Sequence, residues 1–251
     1  MRLDDLPAIR SVPVVTAAQM AEADRVASEE LGIALAVLME NASRQVAAAA
    51  RALLGSVEEK RVIALAGSGN NGGDALGAAR HLLGWGADAR VALSGAPDRL
   101  RDLARAQHDI LVKLGVPIAS AAESGAGAIG EELADADLVL DGLLGYSVSG
   151  APHGAVAELI AAAERSAVPV LAIDLPSGLD PDDGMPLGTA IAARVTVTLA
   201  LPKLGLTLPP ARRYVGELLL ADIGIPAKAY ARFGIDARRV FASGDLVRVT
   251  P

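Results

Sequence analysis

The sequence contains no cysteine. Disulfides, thiolate nucleophiles and cysteine-ligated metal sites are therefore excluded. Aromatic residues make up 2% of the 251 positions. The core must come from Ala, Leu, Val and Ile, and stacking platforms for single-stranded nucleic acid are scarce. Histidine occurs only at 81, 108 and 153, without zinc-like spacing. Lysine occurs only at 60, 113, 203 and 228, there is no basic run, and the net charge is −7. A nucleic-acid partner held on a basic face is disfavoured. No apolar run of about 20 residues is free of charge or proline. No segment joins a basic start, an apolar stretch and a cleavage site. A soluble, cytoplasmic chain with no membrane partner is expected.

Apolar residues, by contrast, are abundant, at 52% with a mean hydropathy of +0.38. That content fills one large domain or two small ones. No linker or internal repeat divides the chain. A single domain over 1–251 is expected, with a core from about 15 to 226 and a short mixed tail over 227–251.

One stretch organises the rest. The apolar run Val62 to Ala66 ends in Gly67-Ser68-Gly69-Asn70-Asn71-Gly72-Gly73-Asp74, and a helical pattern begins near Gly73. A strand, a tight glycine loop and a helix N-terminus form an anion site from backbone N–H groups and the helix dipole. Gly67, Gly69, Gly72 and Gly73 allow a sharp turn and close approach of a ligand. The dinucleotide fingerprint fits Gly67-x-Gly69-x-x-Gly72, but the next strand ends in Ser94-Gly95-Ala96 and offers no acid for a ribose. A phosphate-binding P-loop fails as well, because Gly73 and Asp74 stand where Lys and Ser or Thr belong. Asn70, Asn71 and Asp74 suit ribose hydroxyls, a carboxamide or a cation.

Upstream, Thr16 caps a helix that Gly32 ends, and a second runs from Ile33 to Leu54 with Leu35, Leu38, Met39, Ala42, Val46 and Ala49 as its apolar stripe. Asn41 and Glu40 either bridge neighbouring backbone or, for Asn41, face the site. Downstream, strands are predicted at 62–66, 89–93, 116–119, 137–141, 168–173, 193–200 and 215–220. Helices are predicted at 73–84, 98–114, 124–134 and 154–166. This alternation predicts an α/β fold with a mostly parallel, doubly wound sheet and helices on both faces. In the order 3-2-1-4-5-6, strands one, four and five are neighbours and bind ligands beyond their carboxyl ends. Those ends carry Asp74, Asp141 and Asp174. Three acids on one rim need a cation or a shared proton. Lys203 reads equally as an ion-pair partner for a rim Asp and as a phosphate contact.

Further signatures follow in order. They are Thr16-Ala17-Ala18-Gln19-Met20 with Asp24, then Leu38-Met39-Glu40-Asn41-Ala42, then the Gly69 to Asp74 loop. Asp174-Leu175-Pro176-Ser177-Gly178-Leu179-Asp180, Pro202-Lys203-Leu204-Gly205 and Asp222-Ile223-Gly224-Ile225-Pro226 complete the set. From about Val15 to Pro226 the chain resembles the YjeF N-terminal domain family, the NAD(P)H-hydrate epimerases. The resemblance implies a three-layer αβα, Rossmann-like sandwich with two N-terminal helices packed on it. It implies interconversion of R and S hydrates of NADH and NADPH (NADHX and NADPHX), which feeds an S-specific, nucleotide-dependent dehydratase. It implies a potassium ion held by Asn71, Asp141 and Ser177. Hydrate contacts would come from Asn70, Asn71, Gly72, Gly73 and Asp74, from Gly145, Tyr146, Ser147, Val148, Ser149, Gly150 and Ala151, and from Asp174. Asp174, set deepest by strand five, is the choice for the proton-transferring group. No kinase-like dehydratase segment follows residue 226, so that ADP- or ATP-dependent partner is expected as a separate chain. A homodimer is a family habit.

The chain departs from the family pattern in one loop. Gly-Thr-Gly and a basic residue are usual there, and this sequence has Gly145-Tyr146-Ser147-Val148-Ser149-Gly150. Ala75 also replaces the glycine usual after Asp74. Two other readings stand beside the epimerase: a non-catalytic nucleotide-binding or scaffold module, and an enzyme on another ADP-ribose-type ligand.

Overall fold

The computed structural model describes residues 2–147 and 149–250. A two-residue strand, β1 (Ala8–Ile9), precedes helix α1 (Ala17–Arg25). Thr16 opens α1 as its chemistry predicts. Its hydroxyl accepts from the Gln19 N–H, and the Gln19 side chain accepts from the Thr16 N–H. This reciprocal cap satisfies two donors the helix cannot. Helix α1 passes into a π-helical turn over Val26–Glu30, and Gly32, at φ +74°, ends it. Helix α2 (Leu35–Leu54) follows.

Strand and helix then alternate through β2 (Arg61–Ala66), α3 (Asn70–Gly84), β3 (Asp88–Leu93), α4 (Asp102–Lys113), β4 (Ile118–Ser120), α5 (Ala121–Leu133), β5 (Leu138–Gly142), α6 (Gly154–Ser166) and β6 (Val170–Ile173). Strand β7 (Val195–Leu199), the short α7 (Arg212–Val215), β8 (Glu217–Ala221) and β9 (Leu246–Val249) complete the chain. The sheet order is β1-β9-β8-β7-β6-β5-β2-β3-β4. From β4 to β8 every pairing is parallel, and the expected doubly wound order is present. The N-terminal lead-in and the tail add the last two strands, with β9 antiparallel to β8 and β1 parallel to β9.

Strand β2 shows why three layers form. Val62, Ala64 and Ala66 belong to one apolar cluster, with Met20, Val46, Leu76 and Leu111 from α1 to α4. Ile63 and Leu65 belong to the other, with Ile129, Leu133, Leu159 and Ile160 from α5 and α6. Side chains alternate across a strand, so a run apolar at every position buries both faces.

Several boundaries differ from the sequence reading. Helix α3 begins at Asn70 and not near Gly73, because Gly69 is already its extended cap, at φ −93°. Helix α4 starts at Asp102 and not at 98, because Pro97–Arg99 forms a separate turn and the Arg101 N–H donates to the Ser68 carbonyl. Gly125, at φ 76° and ψ 150°, kinks α5. Leu35, part of the apolar stripe of this helix, is 46% exposed. Among the described residues no helix is long and apolar enough to cross a membrane.

Candidate active site

The glycine loop is closely packed. A Cβ on Gly72 would lie 1.9 Å from the Gly67 carbonyl oxygen, and one on Gly67 would lie 2.0 Å from that of Leu143. Neither residue has a positive φ. These glycines are required by backbone approach between the end of β2, the first turn of α3 and the loop after β5. Nothing lies within 4 Å of the corresponding position on Gly69, which leaves the space above the loop open. Among the described residues, the N–H groups of Asn70, Asn71 and Gly72 have no protein acceptor, as expected for a first helical turn.

That open space is a cavity of about 290 Å³ beyond the carboxyl ends of β2, β5, β6 and β7. Asn70, Asn71, Gly72, Asp74, Gly145, Tyr146, Ser147 and Asp174 line it. Leu38, Met39 and Ala42 of α2 form an apolar wall, with Leu143, Leu199 and Ile223. Four singled-out residues lie elsewhere. Gly73 faces α2, where a Cβ would lie 2.5 Å from Met39 Cε. Ser149 is exposed, Gly150 borders a small separate crevice with Pro176 and Leu187, and Ala151 lies beside Gly188. Val148 lies outside the described residues.

The acids divide into two groups. Asp74 and Asp174 face the cavity, while Asp141 is fully buried. Asp174 sits at φ +70°, a left-handed conformation that an aspartate tolerates better than most residues. Its N–H donates to the Val197 carbonyl, which ties this turn to β7. Its Oδ1 accepts from Lys203 Nζ and from the Leu199 N–H at 3.2 Å. Lys203 is 1% exposed and also donates to the Leu199 carbonyl at 3.1 Å. Of the two roles open to Lys203, the structure adopts the ion pair.

Asp24 was missed as a site residue by sequence reasoning. The backbone of Val15 pairs with the Lys203 loop, accepting from Leu204 and donating to Pro202. This bridge docks α1 against the site and brings Asp24 to the cavity wall. The Tyr146 hydroxyl donates to Asp24 Oδ2 at 2.5 Å, and its ring centroid lies 5.3 Å from Lys203 Nζ. Burial raises the Asp24 carboxyl above its usual range, against the Tyr146 hydrogen bond and the Lys203 charge. The only sign of Asp24 in the sequence is its place in the Thr16 motif. Arg101 and Ser68, also unforeseen, stand at the cavity wall beside the start of α3.

Asp74 is 6% exposed, and among the described residues its carboxyl has no hydrogen-bond partner. Burial, then the charges of Asp174 and Asp24, push it well above the ordinary aspartate value, with Lys203 opposing.

Below the cavity floor, Asp141 Oδ1 accepts from Ser177 Oγ at 2.6 Å and from the Leu143 N–H at 3.3 Å, and Oδ2 from the Ser177 N–H at 2.8 Å. Burial still raises its pKa to about 6, against these three hydrogen bonds. Ser177 Oγ accepts from the Leu144 N–H, and Asn71 Nδ2 donates to the Leu144 carbonyl, both at 2.9 Å. Asn71, Asp141 and Ser177 thus meet around one backbone segment. Among the described residues Asp141 has no cationic partner, and no three His, Cys, Asp or Glu side chains form a metal-binding group. Asn41 and Glu40 are structural. Asn41 Nδ2 donates to the Ile223 carbonyl at 3.0 Å, and Glu40 pairs with Arg80 and His81.

A doubly wound sheet with a cavity and a buried lysine–carboxylate pair at its switch point defines a small-molecule site of the α/β class. The family is more specific. A sequence model described as YjeF-related protein N-terminus matches residues 35–205, and the chain belongs to that family. It is 40% identical to an NAD(P)H-hydrate epimerase of Dehalogenimonas lykanthroporepellens, over 96% of this chain and 94% of that one. It is 41% identical to a bifunctional NAD(P)H-hydrate repair enzyme of Moorella thermoacetica, over 92% of this chain but 44% of the relative. The chain therefore spans less than half the length of that relative. The crystal structure of yeast ynu0 superposes with a TM-score of 0.77 at 26% identity, covering 95% of this chain and all of that one.

Proposed function

We propose that this chain is an isomerase that interconverts the R and S hydrates of NADH and NADPH. The observation that carries this reading is the cavity itself. It joins a buried Asp174–Lys203 pair to two further carboxyls, Asp24 and Asp74, beside free N–H groups of a helix start. The substrate hydroxyl is on C6, next to the ring nitrogen. Protonation lets it leave as water while the nitrogen lone pair forms a planar iminium, and water returns on either face. Such a site needs a proton donor and negative charge near the developing cation. Asp174, the sequence's choice for the proton, takes the charge-supplying role instead, because Lys203 and the Leu199 N–H already donate to it, and the apolar wall from Leu38 to Ala42 excludes bulk water from the ring. Asn70, Asn71 and the first turn of α3 take the polar groups of the nucleotide. Arg101 replaces the basic residue missing from the Gly145–Gly150 loop as a phosphate contact.

Asn71, Asp141 and Ser177 fit a potassium ion. Their donors are oxygens, hard ligands that suit such a cation, and Asp141 is a buried carboxylate without a positive partner. A potassium ion held there supplies the positive charge that Asp141 lacks. The same reading makes the chain a soluble cytoplasmic homodimer, upstream of an ADP- or ATP-dependent dehydratase. Neither a scaffold module nor an enzyme on another ADP-ribose ligand is favoured by the relatives.

The test is a coupled assay. R-NADHX, an S-specific dehydratase and this protein are mixed with and without potassium. Potassium-dependent recovery of NADH absorbance supports the reading, and recovery at only the spontaneous rate contradicts it.

A further inference from the structure

Four charged or ionisable side chains converge on the buried end of the cavity: Asp24 from α1, Asp74 from α3, Asp174 after β6 and Lys203 after β7. Tyr146 stands among them, and Arg101, exposed, stands at the wall. Their partners differ. Lys203 and the Leu199 N–H donate to Asp174, and Tyr146 donates to Asp24. No donor among the described residues reaches Asp74, although it is more than nine-tenths buried and lines the cavity. One ammonium cannot offset three carboxylates held together away from water, and the carboxyl without a donor is the one best served by keeping its proton.

From this geometry we infer that Asp74 is the general acid and base of the epimerisation, and that Asp174 remains the anion beside the cation that forms. A carboxyl that accepts from an ammonium and a backbone N–H, beside one that no donor among the described residues reaches, divides the work of stabiliser and acid. In the forward step the Asp74 proton passes to the C6 hydroxyl. The C6–O bond breaks with its electron pair on the departing water, the nitrogen lone pair forms the C6=N bond, and Asp74 is left as carboxylate. In the return step a water oxygen bonds to C6 from the other face, the C=N pair returns to nitrogen, and the water's proton goes to Asp74. No oxidant, reductant or co-reactant is needed. Burial of Asp74 among like charges supports the assignment, because it favours the acid form over the carboxylate.

The assignment rests on the proposed epimerase reading, so the experiment must separate the two. Epimerisation of R-NADHX is followed for the intact chain, Asp74→Asn and Asp174→Asn from pH 5 to pH 9, with NADH as a binding probe. An amide has nearly the shape of the protonated carboxyl, so Asp74→Asn is expected to fold and to bind NADH as the intact chain does. Its kcat should fall by about 10²- to 10⁴-fold. The intact chain should lose kcat as pH rises, and Asp174→Asn should be slower but keep that same alkaline limb. An active intact chain whose Asp74→Asn variant stays within about threefold at every pH overturns the assignment alone. An intact chain with no epimerisation above the spontaneous rate overturns the epimerase reading and the assignment with it.

Discussion

Tyr146 donates its phenolic hydrogen to Asp24, 122 residues away in sequence and 2.5 Å away in space. The bond ties the loop after β5 to helix α1 and fixes the Tyr146 ring over Lys203. Replacing Tyr146 with Phe keeps the ring and removes the donor. A buried acceptor left without its donor costs about 1–3 kcal/mol. Thermal denaturation should show Tyr146→Phe less stable than the intact chain. Asp24→Asn keeps an oxygen acceptor and removes a charge near Asp174, so it should be at least as stable as the intact chain.

Lys203 is the sole ammonium paired with a cavity carboxylate among the described residues. Lys203→Met leaves Asp174 buried and unpaired, and breaking such a pair costs about 3–5 kcal/mol. The double variant with Asp174→Asn should recover most of that loss in urea titrations while staying slower than the intact chain. Equal stability of the single and double variants would show that the pair does not couple.

Gly77 packs against α2, where a Cβ would fall 2.1 Å from Ser43 Oγ and 2.7 Å from its Cβ. Gly77→Ala gains helix propensity of about 1 kcal/mol. Forcing α3 away from α2 should outweigh it, with overpacking costs of about 1–3 kcal/mol. Ser43→Gly in the same chain should restore the loss, which a double-mutant cycle by calorimetry measures.

The pH dependence of stability follows from Asp74. Its folded pKa lies well above its unfolded value, so between the two values the folded chain holds a proton that the unfolded chain has released. Stability therefore falls as pH rises through this interval and is regained on acidification. Asp24 shifts in the same direction. Surface acids held low by arginine or lysine, such as Glu30 and Asp137, oppose this once the pH falls below their own ordinary values. Asp74→Asn should be more stable than the intact chain at pH 8, with a gap that narrows toward pH 5. A gap independent of pH would contradict the burial argument.

Arg101 is exposed at the cavity wall, which the first residues of α3 also line. Arg101→Ala should raise KM for the hydrates several-fold and leave kcat unchanged, because a phosphate contact is made equally in ground and transition states. Initial rates across substrate concentration test this. An equal loss in kcat would place Arg101 nearer the reacting ring.

The central strands were legible because β2 to β8 are apolar runs separated by helical periodicity, and alternation of that kind admits few topologies. β1 and β9 were not. One has two residues, and the other carries Arg248 within Leu246–Val249, so neither has a pattern of its own and each forms only against its neighbour. Around the cavity, Asp174 and the Gly69–Asp74 loop could be placed because strand ends fix them. Asp24 could not, because its position depends on the non-local bridge between Val15 and Lys203. Asp141 was expected on the same rim as the other acids. It lies beneath, since the N–H and hydroxyl of Ser177 draw it into the floor. The cation that the clustered acids called for includes a lysine of the chain itself.

The most direct measurement starts from pure R-NADHX and follows the R to S ratio by chromatography, with potassium present and no dehydratase. The account predicts approach to the equilibrium mixture far faster than the spontaneous rate, and near-complete loss of that acceleration in Asp74→Asn. A ratio that drifts at the spontaneous rate with the folded protein present would contradict the epimerase reading.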